Sequence, residues 1–197
     1  YSHLGSSLAR VFLGFSLASA LALPLGILMG FSRGFDAVVD PLVEIIRPVP
    51  PLAWLPLSVV WFGIGIFSAA FLIFLGAFFP ILLNTVLGVR SVDPVLTQAA
   101  RTLGAGRRTI LLRVLTPGSM PSVITGLRIG MGIGWMTLVA AEMTGVKSGY
   151  GLGYMILTAR DVARYDLVVA GIVVIGLVGF LIDRLVKLAE KRLLRWM

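Results

Sequence analysis

The sequence reads as an all-α membrane protein of about five transmembrane helices, and three observations carry that reading. Of its 197 residues 58% are hydrophobic and only 13% are charged, more apolar surface than a soluble domain of this size can hide. The apolar residues fall into runs at 8–31, 52–63, 66–89, 119–143 and 166–182, separated by polar or glycine- and proline-bearing breaks. The 17 Lys and Arg residues gather at the ends of those runs, where orientation signals sit. The same placement argues against nucleic acid as the reason for the net charge of +8. With no cysteine, neither a disulfide nor a thiolate metal site is available, and the lone His3 has no partner motif.

The first span, 8–31, carries Arg10 near its start, where a long side chain is expected to snorkel to the headgroups. Gly14, Gly26 and Gly30 permit close helix packing, Pro24 is a candidate kink, and Arg33 with Gly34 closes the span. Residues 35–47 alternate Val38, Val39, Leu42, Val43, Ile45 and Ile46 with Asp36, Asp40 and Glu44, which predicts an interfacial or protein-buried amphipathic helix. A stiff Pro48-Val49-Pro50-Pro51 break precedes the short apolar piece 52–63, and Gly63-Ile64-Gly65 turns the chain into 66–89. Asn84, inside that span, is expected to face protein or a water-filled lumen, since an amide in lipid is costly.

Residues 93–117 are the one long polar break. Asp93 can cap a helix that begins at Pro94, and Leu96, Ala99, Ala100 and Leu103 recur at helical spacing before Gly104 stops it. A second short helix sets Ile110, Leu111, Val114 and Leu115 against Arg107, Arg108 and Arg113, with Pro117 as its expected end. The bland alternative is a surface-lying amphipathic loop without a partner. In the next span Gly126, Gly130 and Gly134 lie four apart and predict a helix-packing stripe, against this chain or a second copy. Residues 144–154 are glycine-rich and read as a turn, 155–164 as a short helix, and 183–197 as a basic amphipathic tail.

Threading the spans with the polar break inside the cell puts thirteen basic residues inside and four (Arg10, Lys147, Arg160, Arg164) outside. That orientation places Tyr1 outside, which predicts an earlier helix upstream of this sequence. A nucleotide site is absent: Gly145-Val146-Lys147-Ser148 lacks the glycine a P-loop needs before its lysine. Gly149-Tyr150-Gly151 superficially looks like a potassium filter, but Lys147-Ser148 stands where Thr-Val is needed and a lysine there repels cations. No catalytic cluster appears.

The order Gln98-Ala99-Ala100-x3-Gly104-x9-Val114-x-Thr116-Pro117 resembles the EAA loop of ABC importer permeases, Glu-Ala-Ala-x3-Gly-x9-Ile-x-Leu-Pro, with Gln98, Val114 and Thr116 as departures. The run 53–57 with 61–65, and Ala141-Glu142-Met143 with the stretch 149–154, are similar to the nitrate/sulfonate/taurine/bicarbonate branch of that family. The resemblance covers nearly all of the chain. It implies a type I, MetI-like permease core of about five helices with a cytosolic coupling helix. It also implies two permease copies in an inner-membrane multi-pass assembly, two ATPase subunits holding ATP and Mg, and an external solute-binding protein, with no enzymatic activity in this chain.

In that reading Gln98, Ala99, Ala100, Leu103 and Gly104 contact the ATPase, with Arg101, Arg107 and Arg108 at the polar rim. Asn84, Trp135, Met136, Thr137 and Glu142 are the candidate lining or gate of the pathway, helix packing being the competing reading for Trp135 and Met136. The competing function class is a channel or secondary transporter without an ATPase. A secondary transporter would be expected to show more spans, internal repeats and paired midplane charges.

Overall fold

The computed structural model describes residues 2–144 and 151–193, and every regular element among them is helical. In chain order these are α1 (Ser2–Phe31), α2 (Arg33–Ile46), a 3-10 turn (Pro51–Trp54), α3 (Leu55–Phe62), α4 (Ile66–Arg90), α5 (Pro94–Thr102), α6 (Arg107–Ile110), a π turn (Leu111–Leu115), α7 (Thr116–Thr144), α8 (Leu152–Asp161) and α9 (Tyr165–Leu193). The P-loop-like and filter-like runs at 145–150 lie outside the described residues.

Helix α4 is the centre of the bundle, with α1 on one flank and α7 on the other. Glycine decides how close these helices come. A Cβ on Gly126 would stand 2.7 Å from Asn84 Cβ, one on Gly130 2.8 Å from Ile81 Cγ1, and one on Gly134 3.2 Å from Ile73 Cγ2. The expected stripe therefore packs against α4 of the same chain, and its falling partner numbers make α7 antiparallel to α4. On the other flank Gly14 meets Ile73, Gly26 meets Thr85 and Gly30 meets Val89, so α1 runs parallel to α4. Ala18, Ala22, Met29, Ala77, Ile81 and Leu82 fill the middle of the core.

That parallel register decides the topology. Two consecutive parallel crossings need a return, so residues 32–65 must bring the chain from the Phe31 end of the bundle to the Ile66 end. Among the described residues four helical stretches are long and apolar enough to cross a membrane alone: His3–Phe31, Ile66–Arg90, Arg107–Thr144 and Tyr165–Leu188. The return is made by α2 and the Pro51–Phe62 helices, bent by 81°. The expected span at 52–63 is thus corrected. Its helix α3 has eight residues, about 12 Å of rise, too little to cross by itself. The second crossing is a broken one that starts at Arg33, and Arg33 and Gly34 open α2 under a Ser32 cap rather than closing α1.

Two further boundaries differ from expectation. Pro117 does not end the helix after the polar break; Arg107–Thr144 runs on as one helical stretch. The Leu111–Leu115 turn is widened to π geometry, and the Thr116 N–H and Oγ1 both reach back to Leu111 O, the hydroxyl at 2.8 Å. A wider turn makes room for the pyrrolidine ring, which in a regular α-helix clashes with the carbonyl four residues back. Likewise the last span does not stop at Ile182, because nothing in 183–193 breaks a helix and α9 continues to Leu193.

Candidate functional site

The polar break folds into an exposed elbow at the end of the bundle where α1 and α4 finish. Asp93 caps α5 by accepting the Val95 N–H at 2.8 Å. At the other end Gly104 takes φ +82°, the left-handed region that L side chains avoid. Gly104 N–H donates to Arg101 O and Ala105 N–H to Ala100 O, both at 2.9 Å. This is the six-to-one and five-to-two pairing of a Schellman stop, and it satisfies carbonyls that would otherwise be orphaned. The elbow leans on the bundle through Ala100, Ala105, Ile110 and Leu111, which join Val89, Ile27 and Phe31 in a small apolar cluster.

What remains outward is Gln98, Ala99, Arg101, Leu103, Gly104, Arg107 and Arg108, all exposed. Ala100 is the exception among the expected contact residues: it is half-buried against its own bundle, because the 100° step from Ala99 turns it inward. Leu103 is 87% exposed at the tip. Helix α5 contains no buried residue, so its place is held by its caps, the glycine stop and the Ala100 contact.

The five candidate pathway residues do not share a surface. Of the two surroundings expected for Asn84, protein and a water-filled lumen, the structure gives it protein: it packs beside Gly126 and donates Nδ2–H to Pro80 O at 2.8 Å. Trp135 is buried against Gly179 of α9, and Thr137 lies buried against Gly76 of α4. Glu142 is 1% exposed. Only Met136, 72% exposed, looks outward. Trp135, Thr137 and Glu142 are therefore corrected from lining residues to interior ones: Thr137 lies on the glycine stripe that faces α4, and Trp135 and Glu142 on the other side of α7, against α9 and against α1 and α8.

Glu142 instead anchors a buried polar cluster at the opposite end from the elbow. Its Oε1 accepts from Arg10 Nη1 at 2.6 Å and from Ser7 Oγ at 2.8 Å; its Oε2 accepts the Gly153 N–H at 2.9 Å. Ser7 also receives the Leu152 N–H at 3.1 Å, and His3 Nδ1 receives that of Gly151 at 3.0 Å. The first amides of α8, which no turn of its own can satisfy, are thus capped by side chains of α1 and α7. Gly151 is needed for this approach, since a Cβ there would stand 2.5 Å from the Glu142 carboxyl carbon.

Arg10 is therefore not a snorkelling residue. It is 4% exposed, because a carboxylate at the same depth offers its guanidinium a better partner than the headgroups. The sequence did carry a signal for the pair: threading placed Arg10 and Glu142, opposite in sign, at the same end of two apolar spans. Sequence reasoning missed Ser7 and His3, whose role exists only once α8 folds back. A second ion pair, Arg128 Nε to Asp183 Oδ1 at 2.8 Å, ties α7 to α9 nearer the elbow end.

Comparison with known proteins fits this architecture to a family. The family described as binding-protein-dependent transport system inner membrane component matches residues 22–195. The chain belongs to that family. A putative ABC transporter permease protein of Methanocaldococcus jannaschii is 52% identical over 190 residues, which is 96% of this chain and 71% of that protein. The taurine transport system permease protein TauC of Escherichia coli strain K12 is 44% identical over 196 residues, 100% of this chain and 70% of the relative. The bicarbonate transport system permease protein CmpB of Synechococcus elongatus is 38% identical over 190 residues, 96% and 68% of the two chains. Among solved structures the MetNI methionine ABC transporter, described as inward facing, superposes with a TM-score of 0.72 at 23% identity, covering 94% of this chain and 93% of the other. That likeness establishes the MetI-like fold. The protein is a multi-pass ABC transporter permease, and the exposed elbow of this permease occupies the segment that resembles the EAA loop.

Proposed function

We propose that this permease forms the membrane pathway of an ATP-driven importer for a small anion of the taurine, sulfonate, bicarbonate or nitrate class. The named relatives support the class of solute. Two copies surround the pathway in the plasma membrane, the elbow end faces the cytosol, and an external binding protein delivers the solute. ATP and Mg are held by separate ATPase subunits, into which the elbows dock. Closure of the motors draws the elbows together and rocks the crossings, so that access alternates.

The observation that carries this reading is Leu103, a large apolar side chain left 87% exposed at the tip of a capped and stopped helix. Burying such a side chain in a partner's groove is worth about 1.5–3 kcal/mol. The arginines around it supply a polar rim. Among the described residues no dense cationic ring lies within the crossings, so selectivity resides mainly in the binding protein and the pathway itself is weakly selective.

The test uses the intact transporter in proteoliposomes. No described residue beyond its chain neighbours lies within 4 Å of a Cβ built on Gly104, so a side chain there starts into open space on the partner-facing side, at the cost of left-handed backbone strain. Gly104→Trp is expected to leave membrane insertion intact and to abolish vanadate-sensitive, transport-coupled hydrolysis. Normal uptake and hydrolysis in that variant would sink the docking role of the elbow.

A further inference from the structure

Two of the rim arginines of the elbow, Arg101 and Arg107, also face inward onto a cavity shared with Arg33 of α2, which the docking role does not involve. Phe31, Ser32, Arg33, Arg101, Arg107 and Ile110 enclose a cavity of about 260 Å³. Its apolar wall is Phe31 and Ile110; its cationic wall is three arginines from α2, α5 and α6. Arg33, Arg101 and Arg107 form no salt bridge among the described residues. The nearby carboxylate of Asp36, in an adjoining cavity that shares Phe31 and Arg33, pairs through one oxygen with Arg90 at 2.5 Å, while its other oxygen has no hydrogen-bond partner among the described residues. Three exposed guanidiniums are thus brought around one space with no salt-bridge partner among the described residues, a concentration of positive charge that draws an anion.

Depth in the membrane says which anion. One crossing ends at Phe31, another ends at Arg90, and a third begins at Arg107. All three ends border this cavity or the adjoining one, so the arginines stand at the level where hydrocarbon gives way to headgroups. Helix α2, which starts at Arg33, exposes Phe35, Val38 and Leu42 over its next turns, an apolar strip of the kind acyl chains lie along. The pairing of a guanidinium fork with phosphate oxygens is geometrically favoured over any single ammonium contact.

We infer that this cavity binds a phosphate group at headgroup depth, with an anionic phospholipid as its source, and that Arg33, Arg101 and Arg107 are its ligands. Occupation ties the α1–α2 corner to the elbow. The site is independent of which solute the permease carries.

The test is native mass spectrometry of the full-length permease complex, delipidated in detergent and offered phosphatidylglycerol or phosphatidylcholine at equal concentration. The wild type is expected to retain phosphatidylglycerol about tenfold better, and R33Q/R107Q to lose that preference, since charge-assisted bonds carry it. R33K/R107K, which keeps the charge, should keep part of the preference and controls for folding. R164Q, at the opposite end, should keep all of it. Inorganic phosphate supplied as a competitor separates the sources. Displacement of the lipid shows that the phosphate alone is the recognised group; retention shows that the headgroup and chains are needed together. Equal retention of the two lipids by the wild type overturns the proposal. So does a preference unchanged in R33Q/R107Q, or a variant that loses its ATPase subunits while keeping the lipid preference, which would assign these arginines to the partner.

Discussion

The two ends of this permease are built by opposite means. At one end the elbow is made of neighbours: Asp93 caps two residues on, Gly104 stops the helix it follows, and Ala100 and Ala105 make the apolar contact of α5 and its stop with the bundle. At the other end Ser7, Arg10, Glu142 and the 151–153 turn meet across as many as 145 residues and are sealed from solvent. The surface proposed to engage the ATPase is left polar, exposed and locally stable. An end that must keep three helices together is given a charged pair in low dielectric, where a missing partner is severely punished. The contrast predicts that substitutions at the Glu142 end act on stability and substitutions at the elbow act on coupling.

The sharpest break of that contrast is Glu142→Ala. It leaves the Arg10 guanidinium buried without its carboxylate and is expected to cost about 3–5 kcal/mol, read as thermal melting of the purified permease in detergent. The double variant R10M/E142L should recover much of the loss, since an apolar pair of similar volume replaces the charges. Melting of Glu142→Ala at the wild-type temperature would show that the cluster does not hold this end together. Next comes Gly130→Leu, whose side chain must enter where Ala77 O and Ile81 already stand within about 3.0 Å of a Cβ. Overpacking of about 1–3 kcal/mol is expected, measured as loss of folded permease after extraction.

Leu103→Ser sharpens the other half of the comparison. An exposed leucine contributes little to the fold, so melting should not move, while retention of the ATPase subunits on purification should fall roughly tenfold. A fall in melting temperature with unchanged retention would reverse the assignment of the tip. The smallest effect belongs to Arg128→Gln. Its bond to Asp183 is more than a third exposed at both partners and Lys187 also holds that carboxylate, so melting should shift by an amount close to experimental error.

The sequence by itself determined the local features of this permease. Long apolar runs dictate helices, because lipid leaves no other way to satisfy a backbone. Asp-Pro dictates a helix start and Gly104 a left-handed stop, because the conformations they need are set by one or two residues. The glycine spacing on α7 announced a packing face. Only the tertiary structure decided what depends on which helix stands beside which. The parallel register of α1 and α4 makes 33–62 a broken crossing, the burial of α7 removes Trp135, Thr137 and Glu142 from any shared surface, and the return of α8 onto Ser7 and Glu142 closes the cluster that holds Arg10. These outcomes rest on contacts between residues dozens to more than a hundred positions apart, and a periodic pattern along one helix reports that a face is buried without naming the face that buries it.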